Sequence, residues 1–291
     1  AYQQIWFNNQ NNNKTGSPLK YYTAALTKKM QSSLKAEHNS HIQIEYAMRY
    51  QNPSIFKTLK LFDTKNLDKL IIIPLFPQYS EAATGSAIDK AINIIHKYYP
   101  ELKNKFKIIK DFYNNPNFIN PLANLISQTH NKYKEKINFD YYLFSYHGLP
   151  EKQLDRVEDK NKTNCDRIKP CPKIGENNKN CYRAQCYATT RAIQKKLKLP
   201  EDKVITCFQS RLGKLPWIRP YTDDILSQLA KAGHKNILVS CPAFVCDCLE
   251  TIEEIGIRAK EDWLKLGGDN LILTPCLNDD DLWAKSLFRI S

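Results

Sequence analysis

The stretch Ser145-Tyr146-His147-Gly148-Leu149-Pro150 follows residues 141–144, a short aromatic and apolar run. Such a run is typical of a buried strand, and Gly148 and Pro150 end any regular element directly after it. The sequence therefore predicts a strand with His147 at its carboxyl end. Ligands bind at that edge of open α/β sheets, so His147 is a candidate active-site residue. The alternative is a turn histidine that hydrogen-bonds the backbone.

A second buried strand is predicted at residues 236–241, and Pro242 closes it. It leads into a helix in which Asp247 and Glu250 have the spacing of a capping box, where side chains satisfy the first N–H groups of a helix. Capping is thus the structural alternative for Glu250. If both strands belong to one parallel sheet, His147 and Glu250 lie at the same edge. There they offer a nitrogen and an oxygen for metal binding or proton transfer.

Strand and helix patterns alternate along most of the chain, which predicts an α/β protein with parallel sheets flanked by helices. The strands are predicted at residues 43–48, 70–75, 106–109, 141–145, 203–208, 236–241 and 271–274. The helices are predicted at residues 18–35, 83–98, 116–137, 182–198, 220–232 and 248–266. The turn at residues 114–117 divides the chain into two Rossmann-like halves, 1–115 and 116–270, followed by residues 271–291.

Composition narrows the class of protein. The chain has 291 residues, of which 42% are hydrophobic, and no run approaches the ~20 apolar residues that span a bilayer. We therefore expect a soluble protein. The formal charge of +13 is spread over scattered lysines accompanied by asparagines, so nucleic acid is not an expected partner. An anionic membrane surface is a better match for this charge. Nine cysteines without a signal peptide favour a reducing, cytoplasmic location.

Five segments, spread over nearly the whole chain, resemble the signature segments of ferrochelatase. That enzyme inserts ferrous iron into a porphyrin at the end of haem synthesis. The segments are Ala47-Met48-Arg49-Tyr50; residues 74–80 with Thr84-Gly85-Ser86; residues 145–150; residues 208–213 with Pro216-Trp217; and residues 242–251.

The resemblance implies a chelatase-like fold of two Rossmann-like domains, with residues 271–291 returning to the first half. It implies that His147 and Glu250 are the catalytic pair and ligate the Fe²⁺ substrate. The substrates would be Fe²⁺ and protoporphyrin IX, and the product haem b. The family normally begins with an earlier strand and a glycine-containing loop, so we expect this sequence to lack its amino-terminal segment.

Three alternatives remain open. The first is a chelatase for coproporphyrin or for another pair of tetrapyrrole and metal. The second is a porphyrin- or haem-binding protein without turnover, and the third is a cluster-bearing redox sensor built on the same fold. The sequence leaves the oligomeric state undetermined.

The resemblance also supplies a set of candidate porphyrin-pocket residues, several of which have ordinary structural roles as alternatives. An aromatic side chain can belong to the core, and a hydroxyl loop before a helix can cap that helix as well as bind a propionate. The predicted set is Arg49, Tyr50, Tyr79, Ser80, Thr84, Ser86, Trp217 and Phe244.

Four cysteines lie close together in a polar segment: Cys165, Cys171, Cys181 and Cys186. Thiolates bind Zn²⁺ or a [2Fe–2S] cluster, and the spacing lacks the Cys-x₂-Cys pairs of common zinc sites. Some ferrochelatases carry a [2Fe–2S] cluster, so the resemblance favours a cluster over zinc or unligated thiols. Cys207 and Cys241 fall within predicted strands, where we expect them to be small buried hydrophobic residues.

Overall fold

The computed structural model describes residues 2–8, 14–38, 42–154, 167 and 169–290. The strands are β1 (Phe7–Asn8), β2 (Lys14–Gly16), β3 (Leu70–Ile72), β4 (Phe106–Ile108), β5 (Tyr141–His147), β6 (Val204–Gln209), β7 (Asn236–Ser240) and β8 (Asn270–Leu273). The α-helices are α1 (Tyr2–Ile5), α2 (Pro18–His38), α3 (Ile55–Leu59), α4 (Ser86–Tyr98), α5 (Pro116–Tyr133), α6 (Glu151–Leu154), α7 (Tyr182–Leu197), α8 (Thr222–Lys231), α9 (Lys260–Lys265) and α10 (Asp281–Phe288). Two π-helices, π1 (Glu81–Gly85) and π2 (Leu249–Ala259), precede α4 and α9, and 3₁₀ turns lie at Pro100–Leu102 and Glu201–Lys203.

The described strands form one larger parallel sheet and two small ones. β6, β5, β7 and β8 pair in that order, all parallel, while β3 pairs with β4 in parallel and β1 with β2 antiparallel. Helices follow most of the parallel strands in sequence, so the predicted α/β class with parallel sheets flanked by helices is confirmed. Parallel strands covered on both faces are apolar throughout, which explains the continuous apolar runs of the sequence.

The central strand β5 is covered on both faces. Phe144 faces the largest apolar cluster, whereas the neighbouring Leu143 faces a second cluster that contains Trp263. In the larger cluster Trp283 of α10 packs edge-on against Phe118 of α5, with ring centroids 6.0 Å apart. Burying such a side chain contributes about 1.5–3 kcal/mol, so this packing fixes α5 and α10 against the sheet.

The last strand and helix have different neighbours. β8 pairs with β7 at the edge of the larger sheet. The helix α10 packs against both α2 and α5. Lys29 of α2 bridges Asp279 and Asp281 at 3.3 and 2.9 Å. These pairs are exposed and contribute little, so apolar packing holds the helices together.

The strand predicted at residues 43–48 is wrong. Residues 42–47 have no regular structure, and Met48 forms only an isolated bridge to Ser54. The backbone of this segment is satisfied by side chains instead: the Ile44 N–H donates to the Gln31 amide oxygen at 2.8 Å, and the Thr58 hydroxyl donates to the Tyr46 carbonyl at 3.1 Å. The alternation of apolar and polar residues therefore gave a wrong prediction here, because a strand also requires a neighbouring strand.

Candidate active site

β5 delivers His147 to the carboxyl edge of the sheet, as the sequence predicts. In the parallel register His147 lies opposite Gln209 of β6. Gly148 then donates its N–H to the Gln209 carbonyl at 2.8 Å. A Cβ atom on Gly148 would lie 2.7 Å from that oxygen and 3.2 Å from Cε3 of Trp217. The turn after His147 can therefore approach β6 this closely only with glycine.

The environment of the His147 ring favours a neutral imidazole. Its Nδ1 atom is buried and has no hydrogen-bond partner within the described residues. Burial lowers the pKa of His147, while the charges of Glu250 and Glu254 act in the opposite direction. The Phe244 ring stands edge-on to it, with centroids 6.0 Å apart. A neutral imidazole near neutral pH can accept a proton or bind a metal ion.

Glu250 is the second residue of π2, and the predicted capping box at this helix start is corrected by the structure. Cys248 is the N-cap, and its N–H donates to the Thr251 hydroxyl oxygen at 3.0 Å. The Thr251 hydroxyl in turn donates to Asp247 at 2.8 Å. Thr251 and Cys248 thus occupy the positions predicted for Glu250 and Asp247. The Glu250 carboxylate is not consumed by capping, and it remains half-buried at the edge where His147 lies.

A π-helix accommodates this site because its hydrogen bonds span one residue more than those of an α-helix, and such segments occur frequently at functional sites. The Gln209 side chain supports its first turn by donating to the Glu250 carbonyl at 2.7 Å. The charge of Glu250 also contributes to a raised pKa of the Cys248 thiol, after burial, which is the larger cause. The carboxylate and this buried thiol are therefore close neighbours.

The hydroxyl loop before α4 is largely internal. Ser80 caps π1 by accepting the Ala83 N–H at 3.3 Å, and Thr84 accepts the Ser80 N–H at 3.3 Å. The Tyr79 hydroxyl donates to Glu81 at 2.6 Å, and its pKa is raised chiefly by burial. Thr84 is fully buried within the loop. Capping is therefore an observed role of this loop.

The loop also borders the turn after β5. Tyr79 and Ser80 line a small cavity together with Leu149 and Tyr182. The Tyr182 hydroxyl donates to the His147 carbonyl at 2.8 Å. The first half of the chain thus meets the His147 turn through these side chains.

Arg49 and Ser86 are brought together. The Arg49 Nε atom donates to both the carbonyl and the hydroxyl oxygen of Ser86 at 3.0 Å. The guanidinium also lies over the Tyr50 ring, 4.6 Å from its centroid, and Tyr50 is 69% exposed. Within the described residues, no hydrogen bond, ion pair or ring contact joins Arg49 or Tyr50 to His147.

Trp217 packs directly on the His147 turn. Its backbone forms a bridge with Pro150, and its ring edge approaches Gly148 as described above. The indole N–H donates to the Leu212 carbonyl at 2.9 Å. Trp217 thus places an aromatic ring beside Gly148, and Phe244 places one beside the His147 ring.

Sequence reasoning did not single out Gln209, Ser210 and Glu254 as site residues, although the structure places all three beside the pair. Glu254 accepts hydrogen bonds from both of the others. The sequence does contain an indication for each residue. Gln209 and Ser210 come directly after the strand predicted at residues 203–208, at the same sheet edge as His147. Glu254 follows Glu250 by four residues on one predicted helix, a spacing that places two side chains on one face.

The cysteine segment is described only in part, because Cys165 lies outside the described residues. Cys171, Cys181 and Cys186 are buried, and burial is the main cause of a strongly raised pKa at Cys186, to which Cys181 and Cys171 also contribute. The three thiols are therefore neighbours. Nevertheless, within the described part of the chain no three His, Cys, Asp or Glu side chains are grouped so that they could hold a metal ion. The described residues therefore show no cluster site.

The Ferrochelatase family model matches residues 1–291. The chain belongs to the ferrochelatase family. A ferrochelatase of Legionella pneumophila (strain Paris) is 48% identical over 292 residues, which cover 100% of this chain and 80% of that protein. A ferrochelatase of Coxiella burnetii (strain Dugway 5J108-111) is 40% identical over 293 residues, covering 100% and 76%. The predicted ferrochelatase resemblance and enzyme class, metal insertion into a porphyrin in haem biosynthesis, are confirmed.

Solved structures agree on the fold of this ferrochelatase. SirB from Bacillus subtilis with Fe³⁺ matches with a TM-score of 0.58 at 12% identity, covering 94% of this chain and 90% of that one. The sirohydrochlorin chelatase SirB from Bacillus subtilis subspecies spizizenii, in complex with cobalt, matches with a TM-score of 0.55 at 11% identity, covering 94% and 89%. Likeness at this identity establishes the fold alone, and it confirms the predicted chelatase-like class.

Proposed function

We propose that this ferrochelatase inserts Fe²⁺ into protoporphyrin IX and forms haem b. The observation that carries the proposal is the buried Nδ1 atom of His147, without a hydrogen-bond partner among the described residues, within electrostatic reach of Glu250. Insertion replaces two pyrrole N–H protons with one Fe²⁺ ion, so the site must accept two protons while it brings the metal to the ring. A neutral imidazole and a carboxylate supply both functions.

In this proposal His147 accepts pyrrole protons, because burial keeps its ring neutral and its Nδ1 lone pair is not engaged by a described residue. Glu250 receives the protons and transfers them toward solvent, since its carboxylate is half-buried and is not used for capping. Either side chain can ligate Fe²⁺ during its transfer. Phe244 and Trp217 contact the macrocycle and keep water from the reacting face.

The remaining predicted pocket residues divide by position. Arg49 and Ser86, which are hydrogen-bonded, bind a propionate of the substrate, and the exposed Tyr50 borders that position. Tyr79, Ser80 and Thr84 shape the loop that carries it. A guanidinium with its fork of donors is suited to a carboxylate. The proposal assumes two Rossmann-like halves, residues 1–115 and 116–270, with the tetrapyrrole between them. Residues 271–291 return to the first half.

The test is anaerobic incubation with Fe²⁺ and either protoporphyrin IX or coproporphyrin, followed by visible absorption spectroscopy. We expect the bands of free protoporphyrin to be replaced by those of its iron complex, and the rate to be greater than with coproporphyrin. His147→Ala serves as the control for spontaneous insertion. Faster turnover of coproporphyrin would reassign the substrate, and tight binding of both porphyrins without insertion would overturn the proposal.

We further propose that Cys165, Cys171, Cys181 and Cys186 bind a [2Fe–2S] cluster once all four thiols converge. Support comes from Arg183, which is 1% exposed and donates to the Cys171 sulfur at 2.9 Å. Its other described acceptors are two carbonyls and a phenol, with no carboxylate among them. A buried cation is stabilised by a nearby negative charge, and a thiolate-bound cluster would provide one. Such a cluster would be structural or sensory, since iron insertion transfers no electrons.

Anaerobic purification from iron-replete cells tests this site. We expect about two irons and two acid-labile sulfides per chain, the composition of the cluster. Cys171→Ser should remove them, whereas Cys207→Ser, a buried strand residue outside the segment, should not. One zinc per chain, or no bound metal, would overturn the cluster.

Among the described residues, every helix is too short or too polar to cross a bilayer. We propose a cytoplasmic enzyme with peripheral contact to an anionic membrane. The support is the loop after β6, in which Leu212 is 75% exposed and Leu215 57% exposed beside Lys214. Apolar side chains next to a cation suit an anionic lipid surface. Leu212→Ser with Leu215→Ser should reduce co-flotation with phosphatidylglycerol vesicles, and equal flotation of both proteins would overturn the contact.

A further inference from the structure

The Glu254 carboxylate accepts three hydrogen bonds from the end of β6 and the loop that follows it. Ser210 donates to it twice, from its N–H at 2.7 Å and from its hydroxyl at 2.5 Å. Gln209 adds a weaker bond from its amide nitrogen at 3.3 Å. Within the described residues no Lys or Arg forms an ion pair with Glu254. Three uncharged donors from two consecutive residues therefore define the position of this carboxylate.

Ser210 has a backbone conformation that requires support. Its φ angle is +66°, in the left-handed region that residues other than glycine rarely adopt. Such a conformation persists when the surrounding structure holds it in place, and it is found often at functional sites. The paired bonds from the Ser210 N–H and hydroxyl to Glu254 supply that support.

Gln209, the last residue of β6, connects β5 with π2. These two elements carry His147 and Glu250. Its amide oxygen accepts the Ser145 hydroxyl of β5 at 2.7 Å, and its amide nitrogen donates to the Glu250 carbonyl at 2.7 Å. Its backbone carbonyl accepts the Gly148 N–H directly after His147. Gln209 therefore links the strand and turn that carry His147 to the first turn of π2, which carries Glu250.

We propose that Glu254 is a positioning residue for metal insertion, which fixes Gln209 and Ser210 and through them sets Glu250 relative to His147. This inference rests on the proposed roles of His147 and Glu250. The same bonds also hold the start of the loop that continues to Trp217, so Glu254 supports one aromatic wall of the pocket as well.

The alternative role for Glu254 is direct metal binding, and its hydrogen bonds argue against that role. A carboxylate has about four lone-pair sites, and three of them accept hydrogen bonds at Glu254. Bidentate binding of Fe²⁺ would therefore have to displace at least one of these bonds. A metal ligand and a positioning residue also predict different kinetics. Loss of a ligand raises the KM for Fe²⁺, whereas loss of positioning lowers kcat.

The test compares Glu254→Gln with Glu253→Gln. Glu253 is the adjacent residue of π2, and it pairs with Arg258 at 3.2 Å and not with the loop. For Glu254→Gln we expect kcat to fall about tenfold to a hundredfold, as for a displacement of up to ~1 Å at a reacting group. The KM values for Fe²⁺ and protoporphyrin should stay within about twofold. Glu253→Gln should behave as wild type.

The separate response of kcat and KM is the readout that a merely structural role would not move. Glu254→Asp keeps a carboxylate and shortens the side chain, so it should weaken the bonds to Ser210 and Gln209. It should therefore lower kcat while the KM for Fe²⁺ stays within about twofold.

The outcomes distinguish Glu254 as a metal ligand from Glu254 as a positioning residue. A raised KM for Fe²⁺ at unchanged kcat would make Glu254 a ligand, and wild-type kinetics would remove it from the mechanism; both overturn the inference. If Glu254→Gln fails to fold, the kcat of Glu254→Asp is the test. A lowered kcat supports the positioning role, and a wild-type kcat overturns it. Full activity of His147→Ala, by contrast, would refute the proposed catalytic pair and not the role of Glu254 alone.

Discussion

Gly148→Ala tests whether the close approach of the His147 turn to β6 matters for catalysis. The added methyl group would lie 2.7 Å from the Gln209 carbonyl oxygen, about 0.7 Å inside the 3.4 Å at which ordinary contacts begin. The obstructing atom belongs to the backbone of β6, so it cannot be relieved by a rotamer change. The His147 turn must instead move away from Gln209.

We expect this displacement to affect both stability and rate. Overpacking of a fitted contact costs about 1–3 kcal/mol, partly offset by the ~0.4–1 kcal/mol that Gly→Ala contributes through the unfolded state. The midpoints of the two ranges give a net loss of about 1.3 kcal/mol in the free energy of unfolding. Since a 1 Å misplacement at a reacting group can cost ~10²-fold, kcat should fall about tenfold or more.

Urea unfolding and anaerobic initial rates measure the two effects. Gly175→Ala is the matched control, because a Cβ atom at Gly175 meets nothing within 4 Å. The control should keep the wild-type rate and lose no stability. If Gly148→Ala equals Gly175→Ala in both measurements, the reasoning about the turn is wrong.

Three further predictions concern the pair itself. His147→Ala should reduce iron insertion by about 10²-fold or more, the usual contribution of a general base, while circular dichroism stays unchanged. Glu250→Gln should also inactivate, since it preserves volume and removes the charge; near-normal turnover would reduce Glu250 to a helix residue. Because burial holds the pKa of His147 below its ordinary value of ~6.5, the wild-type rate should persist somewhat below pH 6.5 and then fall. His147 should also make stability decline as pH falls from about 6.5, because the unfolded chain takes up the proton first. A flat rate profile between pH 5 and 8 would contradict an imidazole base.

Much of the fold could be predicted because local patterns and tertiary structure agree. The buried parallel strands are apolar throughout, and the alternation with helices fixes the α/β class, as at β5 and β7. The segment at residues 43–48 shows the limit of this reasoning. It alternates like a strand, but strand formation depends on a distant partner that periodicity does not reveal.

The π-helices show a second limit. Residues 248–266 carry a helical pattern, and nothing in its spacing distinguishes hydrogen bonds to i+5 from those to i+4. The cap was likewise misassigned: the observed capping residues are Cys248 and Thr251, each one position after the predicted Asp247 and Glu250. The Asp247 carboxylate instead accepts hydrogen bonds from the Thr251 hydroxyl and, at 2.7 Å, from the Asn278 amide.

The sequence predicted that His147 and Glu250 lie at one sheet edge, but it did not show which neighbouring residues hold them there. Gln209 reads as the end of an ordinary strand, and only its side-chain bonds reveal that it connects β5 with π2. Arg183 reads as a helix surface residue, yet it is buried against Cys171. Such roles arise from contacts between segments far apart in sequence.

The return of α10 to α2 has a consequence for how the chain is made. Lys29 of α2 and Asp281 of α10, which form an ion pair, are 252 residues apart. At a synthesis rate of about 5–20 residues per second, α2 leaves the ribosome roughly 12–50 s before α10 exists. During that interval the apolar face of α2, with Leu26 and Met30, has no access to Trp283 or Leu287. Until α10 has been made, this face of α2 lacks the α10 side chains that share its core cluster in the folded protein.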